Sequence, residues 1–365
     1  MLKPSDQFHG SDLEKIESLY GIRKEEIVSF SANVNPLGLS RQFKERLSAQ
    51  LDVITTYPDR TYQKLRETIA SYCKTESDRV IVGNGSTELI SLVIQIQDPK
   101  KALILGPTYS EYEREVCLSG GTCSYFPLEE SADFALNEDK LKQALQPEID
   151  LFILCNPNNP TSTLIGADRL RTILDLCRQR HIFVMVDETY MEFVRDVDAA
   201  SAIPLTEQYD NLVVLRGVSK FFASPGLRLG YAVTADETLI RSAARKQNPW
   251  SVSSIAETAG RLLFTDTDYI RRTRELIDSQ RQHVFQKLSV TDGLKVYPPC
   301  ANFVLVRLLK ESLSAAELFD MAIRRGMMIR NCSTFPFLDD TYFRFCFMKP
   351  DDNERLLSCI REFVS

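Results

Sequence analysis

Apolar positions in this chain come in short unbroken runs, each closed by a turn and followed by a polar or amphipathic stretch. The runs at 79–82, 102–105, 150–155 and 182–186 read as buried strands, and 211–233 holds two more around a glycine-containing turn. Helical spacing marks 12–20, 41–50, 62–73, the stretch opened by Gly85, and 170–180. A short strand is expected to begin 27–38 (IVSFSANVNPLG), where asparagines then break it. Beyond residue 235 the spacing predicts helices at 239–247 and 254–264 and a long one at 268–287. After these, apolar segments at 296–308, 327–338 and 341–349 alternate with helices at 315–325 and 351–363. The alternation of strand and helix predicts an α/β chain with a second, smaller α/β unit toward its end. No internal repeat or low-complexity segment interrupts it.

The 365 residues are 44% hydrophobic, enough for a sizeable core. A net charge of −6 without a basic run speaks against a nucleic-acid partner, because binding phosphates requires clustered Lys and Arg. The first residues carry no apolar signal core, and no apolar run approaches the ~20 residues of a membrane span. A cytoplasmic location away from membranes is therefore expected. Nine cysteines without a C-x-x-C pair read as buried free thiols, and three scattered histidines predict no metal site.

Candidate chemistry sits at the ends of the apolar runs. Lys220 leaves a buried strand with no acidic residue within eight positions, followed by Phe221 and Phe222. Desolvation there lowers an amine's pKa and suits it to Schiff-base chemistry, although alone the residue reads more readily as a surface lysine at a strand end. The segment Gly83-Asn84-Gly85-Ser86-Thr87-Glu88 opens an apolar helix whose first amides and hydroxyls form an anion site. A dinucleotide fingerprint would need glycine in place of Glu88, which weakens a nicotinamide dehydrogenase reading. Tyr109 follows the next strand, where ligands of open α/β sheets bind. Asn156-Pro157-Asn158-Asn159-Pro160-Thr161 is a rigid turn that exposes amides. Asp187 ends another buried strand and needs a partner or an N-cap role. Arg344 stands among Tyr342, Phe343, Phe345 and Phe347, where a guanidinium calls for an anion.

Ser219-Lys220 with Gly-Leu-Arg-Leu-Gly-Tyr (226–231), the glycine cup, the asparagine turn and Asp187 occur in the order found in fold type I pyridoxal phosphate enzymes, the aspartate aminotransferase superfamily, which the chain resembles over nearly its whole length. The resemblance implies a large domain with a mostly parallel central sheet and a smaller α/β domain. It divides the chain into a 1–45 arm, a 46–270 cofactor domain and a 271–365 small domain. It further implies pyridoxal 5'-phosphate carried by Lys220, with the phosphate held by Gly85, Ser86, Thr87, Ser219 and Arg228. Tyr109 would stack on the ring, Asn159 and Tyr190 would meet its phenolic oxygen, and Asp187 its nitrogen. Tyr57 would cross a homodimer interface to the neighbouring site. Two departures stand out: Gly217 where many members carry a hydroxyl, and Ser162 where the asparagine turn usually ends in glycine.

Within the superfamily the likeness is to the branch of histidinol-phosphate aminotransferases and the threonine-phosphate decarboxylases of cobalamin biosynthesis. His9-Gly10, 30–38, 248–252 and 329–344 look more like the decarboxylases. That implies a phosphorylated amino-acid or amino-alcohol substrate met by His9, Asn33, Arg330 and Arg344. The expected reaction is decarboxylation of L-threonine O-3-phosphate to (R)-1-amino-2-propanol O-2-phosphate and CO2, with transamination as the alternative. A non-catalytic regulator would need a DNA-binding region, and no basic segment supplies one.

Overall fold

A computed structural model describes residues 12–365. Its strands are β1 (Val28–Ser29), β2 (Val80–Gly83), β3 (Lys101–Gly106), β4 (Thr122–Pro127), β5 (Leu151–Cys155), β6 (Phe183–Asp187), β7 (Leu212–Gly217), β8 (Gly230–Thr234), β9 (Leu294–Val296), β10 (Phe303–Leu308), β11 (Met327–Met328), β12 (Arg330–Asn331) and β13 (Tyr342–Cys346). A seven-stranded sheet has the order β2-β8-β7-β6-β5-β3-β4. Strand β8 runs antiparallel to both of its neighbours, and the pairs from β7 to β4 are parallel. Helices Gly85–Gln97, Glu111–Leu118 and Ala167–Gln179 make crossovers between parallel strands.

Every residue of β2, β5, β6, β7 and β8 is buried, which is why these strands read as continuous apolar runs rather than alternating ones. Edge strand β4 has only one buried residue, Phe126, and its mixed sequence gave no such signal. Parallel strands bring their carboxyl ends to one edge of the sheet. The turns after β2, β3, β5, β6 and β7 therefore meet there, although the ends of β2 at Gly83 and β7 at Gly217 lie 134 positions apart in the chain.

The second sheet, β12-β13-β10-β9, is antiparallel, and β1 pairs in parallel with β11. The strand expected in 27–38 thus lasts two residues. Its continuation cannot stay in a ladder, because Asn33 takes a left-handed φ of 55° and the Asn35 amide is drawn inward to Phe221 O, Tyr269 Oη and Thr273 Oγ1 at 2.8–2.9 Å. The long helix Thr267–Ser289 spans both sheets, with Tyr269 donating to Gly38 O at 2.9 Å and Arg281 Nε to Ala301 O at 3.0 Å. Among the described residues no helix is long and apolar enough to cross a membrane. All nine cysteines are free, but the expectation that they are buried holds only for Cys155, Cys177, Cys332, Cys346 and Cys359; Cys73, Cys123 and Cys300 are partly buried, and Cys117 lies exposed on the helix Glu111–Leu118.

Candidate active site

At the carboxyl edge of the large sheet lies a cavity of about 330 Å³ that reaches across to β12 and β13. Lys220, Asp187, Tyr190, Asn159, Tyr109, Ser86, Thr87, Ser219, Arg228, Asn33, Arg330 and Arg344 all line it. Gly85 stands just behind, Tyr57 lies outside on the surface, and His9 falls outside the described residues.

Lys220 follows the end of β7 and donates from Nζ to Ala32 O at 2.8 Å. Burial depresses its amine to about pH 8, and the guanidiniums of Arg344 and Arg228 push in the same direction against weaker opposition from Cys346 and Asp187. Phe221 and Phe222, fully buried, supply apolar surroundings as their position in the sequence suggested. Of the charges that tune the amine, Arg344 and Asp187 come from distant parts of the chain, and Arg228 from the turn that follows the lysine.

Asp187, the last residue of β6, is 4% exposed, with every hydrogen bond to it coming from neutral donors. Tyr112 Oη donates to its Oδ2 at 2.6 Å, and Thr189 N and Oγ1 donate to Oδ1 at 2.9 and 2.5 Å. Burial and the adjacent carboxylate hold the Tyr112 phenol far above its usual pKa, so it stays a donor. Tyr112 and Thr189 escaped the sequence reading. The available signal was Tyr112, an aromatic among the charged residues that open the EYEREVCL helix.

One end of the cavity collects groups for an anion. Ser86 and Thr87 lie in the first turn of the 13-residue helix Gly85–Gln97, where unpaired amides and the helix dipole favour negative charge. Glu88 folds back to accept from Asn84 N at 2.5 Å, a bond that glycine at this position could not make. A Cβ on Gly85 would lie 2.4 Å from Arg228 Nη2, so the missing side chain is what admits the guanidinium. At Gly217 a Cβ would meet only ordinary contacts, Leu229 O at 3.4 Å and Ser86 Cβ at 3.9 Å. A hydroxyl residue would therefore fit there, and its absence removes a donor without relieving a clash.

Arg330 and Arg344 are direct cross-strand partners of β12 and β13 and so share one face of that sheet. Among the described residues neither makes an ion pair. Arg344 donates to Ser31 O at 2.6 Å and to Asn159 Oδ1, lies over the Phe303 ring at 5.4 Å, and keeps a buried Nε without a partner among the described residues. This bond uses the Asn159 side-chain oxygen as acceptor. Arg330 donates to Thr334 Oγ1 at 2.8 Å and lies 5.6 Å from the Phe335 ring centre. Burial, then the charge of Arg344, lowers its pKa, while Cys332 and then Asp12 oppose. Tyr190 accepts from Asn33 Nδ2 at 3.4 Å, and its phenol is raised by burial and held back by Arg344. Buried Asn33 Oδ1, Ser31 Oγ and Thr108 Oγ1, all on residues lining the cavity, have no partner among the described residues.

The Ser162 departure also acquires a role. This residue holds φ 61°, the conformation that explains the usual glycine, and its buried Oγ accepts from Cys300 N at 3.2 Å and Ala301 N at 2.9 Å. It fastens the asparagine turn to the segment entering β10.

A basin of anion donors, a buried aspartate and a desolvated lysine facing one cavity define a site for a phosphorylated, basic aromatic cofactor. The pattern of the family described as aminotransferase class I and II matches residues 25–360. The chain belongs to that family, whose cofactor is pyridoxal 5'-phosphate. It is 33% identical over 357 residues to a threonine-phosphate decarboxylase of Salmonella typhimurium, covering 98% of this chain and 96% of that one. It is 29% identical over 359 residues to a histidinol-phosphate aminotransferase of Geobacillus, covering 97% and 94%. The crystal structure of a histidinol-phosphate aminotransferase from Clostridium acetobutylicum superposes with a TM-score of 0.85 at 31% identity, covering 91% of this chain and 98% of that one.

Proposed function

We propose that this enzyme decarboxylates L-threonine O-3-phosphate to (R)-1-amino-2-propanol O-2-phosphate. The observation that carries the reading is the pair Arg330 and Arg344, side by side on neighbouring strands, facing a cavity and without carboxylate partners among the described residues. Two such guanidiniums suit a small substrate bearing both a phosphate and a carboxylate. The similarity to the Salmonella decarboxylase supports the same choice.

The residues fit the family's cofactor. Ser86, Thr87, Ser219 and Arg228 would hold its phosphate, Tyr109 would cover its ring, and Asn159 and Tyr190 would meet its phenolic oxygen. When bound, pyridoxal 5'-phosphate supplies an electron sink for the pair left behind when a bond to the substrate α-carbon breaks. Asp187, aimed by Tyr112 and Thr189, keeps positive charge on the ring nitrogen. Lys220 would carry the cofactor and, with its amine lowered to about 8, would move a proton at Nζ. Arg344, anchored by Ser31 and Asn159, grips the carboxylate and so selects which α-carbon bond is presented for cleavage. Arg330, with Asn33 and His9, takes the phosphate. The exposed Leu51, Ile54 and Tyr57, the last against Trp250 at 4.8 Å, support a homodimer in which Tyr57 serves the neighbouring site.

Product analysis tests the reaction. The holoenzyme is expected to release one CO2 per amino-alcohol phosphate formed. Amino transfer from histidinol phosphate to 2-oxoglutarate, with no CO2 from threonine phosphate, would assign the transaminase reading instead. Borohydride reduction and peptide mapping test the lysine, and a label on any residue but Lys220 rejects it.

A further inference from the structure

The two arginines are joined by one loop, residues 332–341, which leaves β12 just after Arg330 and returns two residues before Arg344. The loop carries both groups that fix Arg330, Thr334 through its hydroxyl and Phe335 through its ring. It is tied internally, with Asn331 Nδ2 donating to Asp340 Oδ1 at 2.5 Å, Ser333 N to Asn331 Oδ1 at 2.8 Å and Phe335 N to Cys332 O at 2.9 Å. Its tip is Phe337, a bulky residue at φ 68° and 56% exposed, a conformation and a setting that such a side chain ordinarily avoids.

What holds Phe337 there belongs to the other sheet. Its ring stands edge-on to Tyr125 of β4, with centroids 5.9 Å apart and planes at 81°. A Cβ on Gly106 would come within 3.2 Å of Phe337 Cε2 and 2.9 Å of Tyr125 Cδ1, so the ring occupies a notch that exists because β3 ends in glycine. Tyr125 is fixed in turn by donating to Glu113 Oε2 at 2.9 Å. Thr108 and Tyr109, which line the cavity, follow Gly106 by two and three residues.

We propose that Phe337 is a positioning residue for substrate selection. Seated in the Gly106–Tyr125 notch, it pins the tip of the 332–341 loop to the cofactor-side sheet, so that Thr334 and Phe335 present Arg330 to the substrate's phosphate. The inference rests on the reading of Arg330 as the phosphate-binding arginine. The ring does not line the cavity, so it acts through the loop alone.

The test compares L-threonine O-3-phosphate with unphosphorylated L-threonine on the holoenzyme. Phe337→Ala is expected to lower kcat/KM for the phosphorylated substrate roughly tenfold to a hundredfold, mostly through KM, because small misplacements of a binding group cost that much. Turnover of L-threonine and the cofactor's absorbance should stay as in wild type, and Phe337→Tyr should restore the phosphate preference. Combined with Arg330→Ala, Phe337→Ala should add nothing further, since both remove one interaction. Equal losses on both substrates, or additive losses in the double variant, would overturn the proposal while leaving Arg330's role standing. A wild type indifferent to the phosphate would overturn the functional reading, and this proposal with it.

Discussion

At the scale of single residues, Lys220 shows how far the surroundings can move a side chain from its ordinary chemistry. In the cofactor-free chain its amine sits near pH 8 rather than 10.5, chiefly through burial. Between these values the unfolded chain holds a proton that the folded chain lacks, so this group's contribution makes stability rise with pH there, and below about pH 8 its full cost is present. Replacing Lys220 with Met should therefore stabilise the cofactor-free chain by on the order of 2 kcal/mol at pH 7, with allowance for the surface the lysine keeps toward the cavity. The advantage should shrink toward zero near pH 10.5. Thermal unfolding of both chains across that range checks it, and a difference that does not vary with pH would show that the amine is not desolvated. The aspartate and arginine readings at 187 and 344 rested on the same logic of a charge among apolar neighbours. What the apolar pattern could not reveal was that Asp187 is held by Tyr112 and Thr189, or that Arg344 is held by Asn159, 185 positions away.

Elements decide how closely those residues approach. The helix Gly85–Gln97 can offer its first turn to an anion beside Arg228 because Gly85 leaves the guanidinium room. Gly85→Ala should cost some stability, because Gly85 holds a φ of 81° that residues with a Cβ rarely adopt, although the obstructing guanidinium ends a flexible side chain that can give way. It should also weaken cofactor binding roughly ten- to a hundredfold as Arg228 is displaced. Titration of the cofactor against both proteins, followed by its absorbance, measures this, and equal affinities would remove Arg228 from the phosphate site. The asparagine turn offers a second test. Ser162→Ala strands the buried Ala301 amide and should cost about 1–3 kcal/mol in chemical denaturation. A neutral result would mean that the backbone contact from Cys300 N to Ser162 O suffices to fasten the segment. The turn itself was legible from its two prolines. The hydroxyl's partners were not, because they lie 138 and 139 residues further along the chain.

For the whole molecule, the proposed homodimer makes the clearest prediction. Tyr57 is 79% exposed and lies outside the cavity of its own chain. Purified heterodimers of a Tyr57→Phe chain and a Lys220→Ala chain should then hold one unaltered site and one carrying both lesions. Their activity should reach about half that of wild type, above either mutant homodimer, and activity no higher than the Tyr57→Phe homodimer would place Tyr57 with its own chain. The sequence by itself determined the strands that are buried on both faces, the turns that close them and the charged groups that face the cavity, because burial and turn geometry leave local signatures. The half-exposed edge strand β4, the two-residue limit on β1 and the exposure of Cys117 left none that the apolar pattern could show. Only the tertiary structure decided that Arg330 stands opposite Arg344, that Arg228 fills the space beside Gly85 and that Phe337 reaches Gly106. The first two contacts depend on which strands pair and in what register, and the third on how the two sheets pack together, which no local pattern encodes.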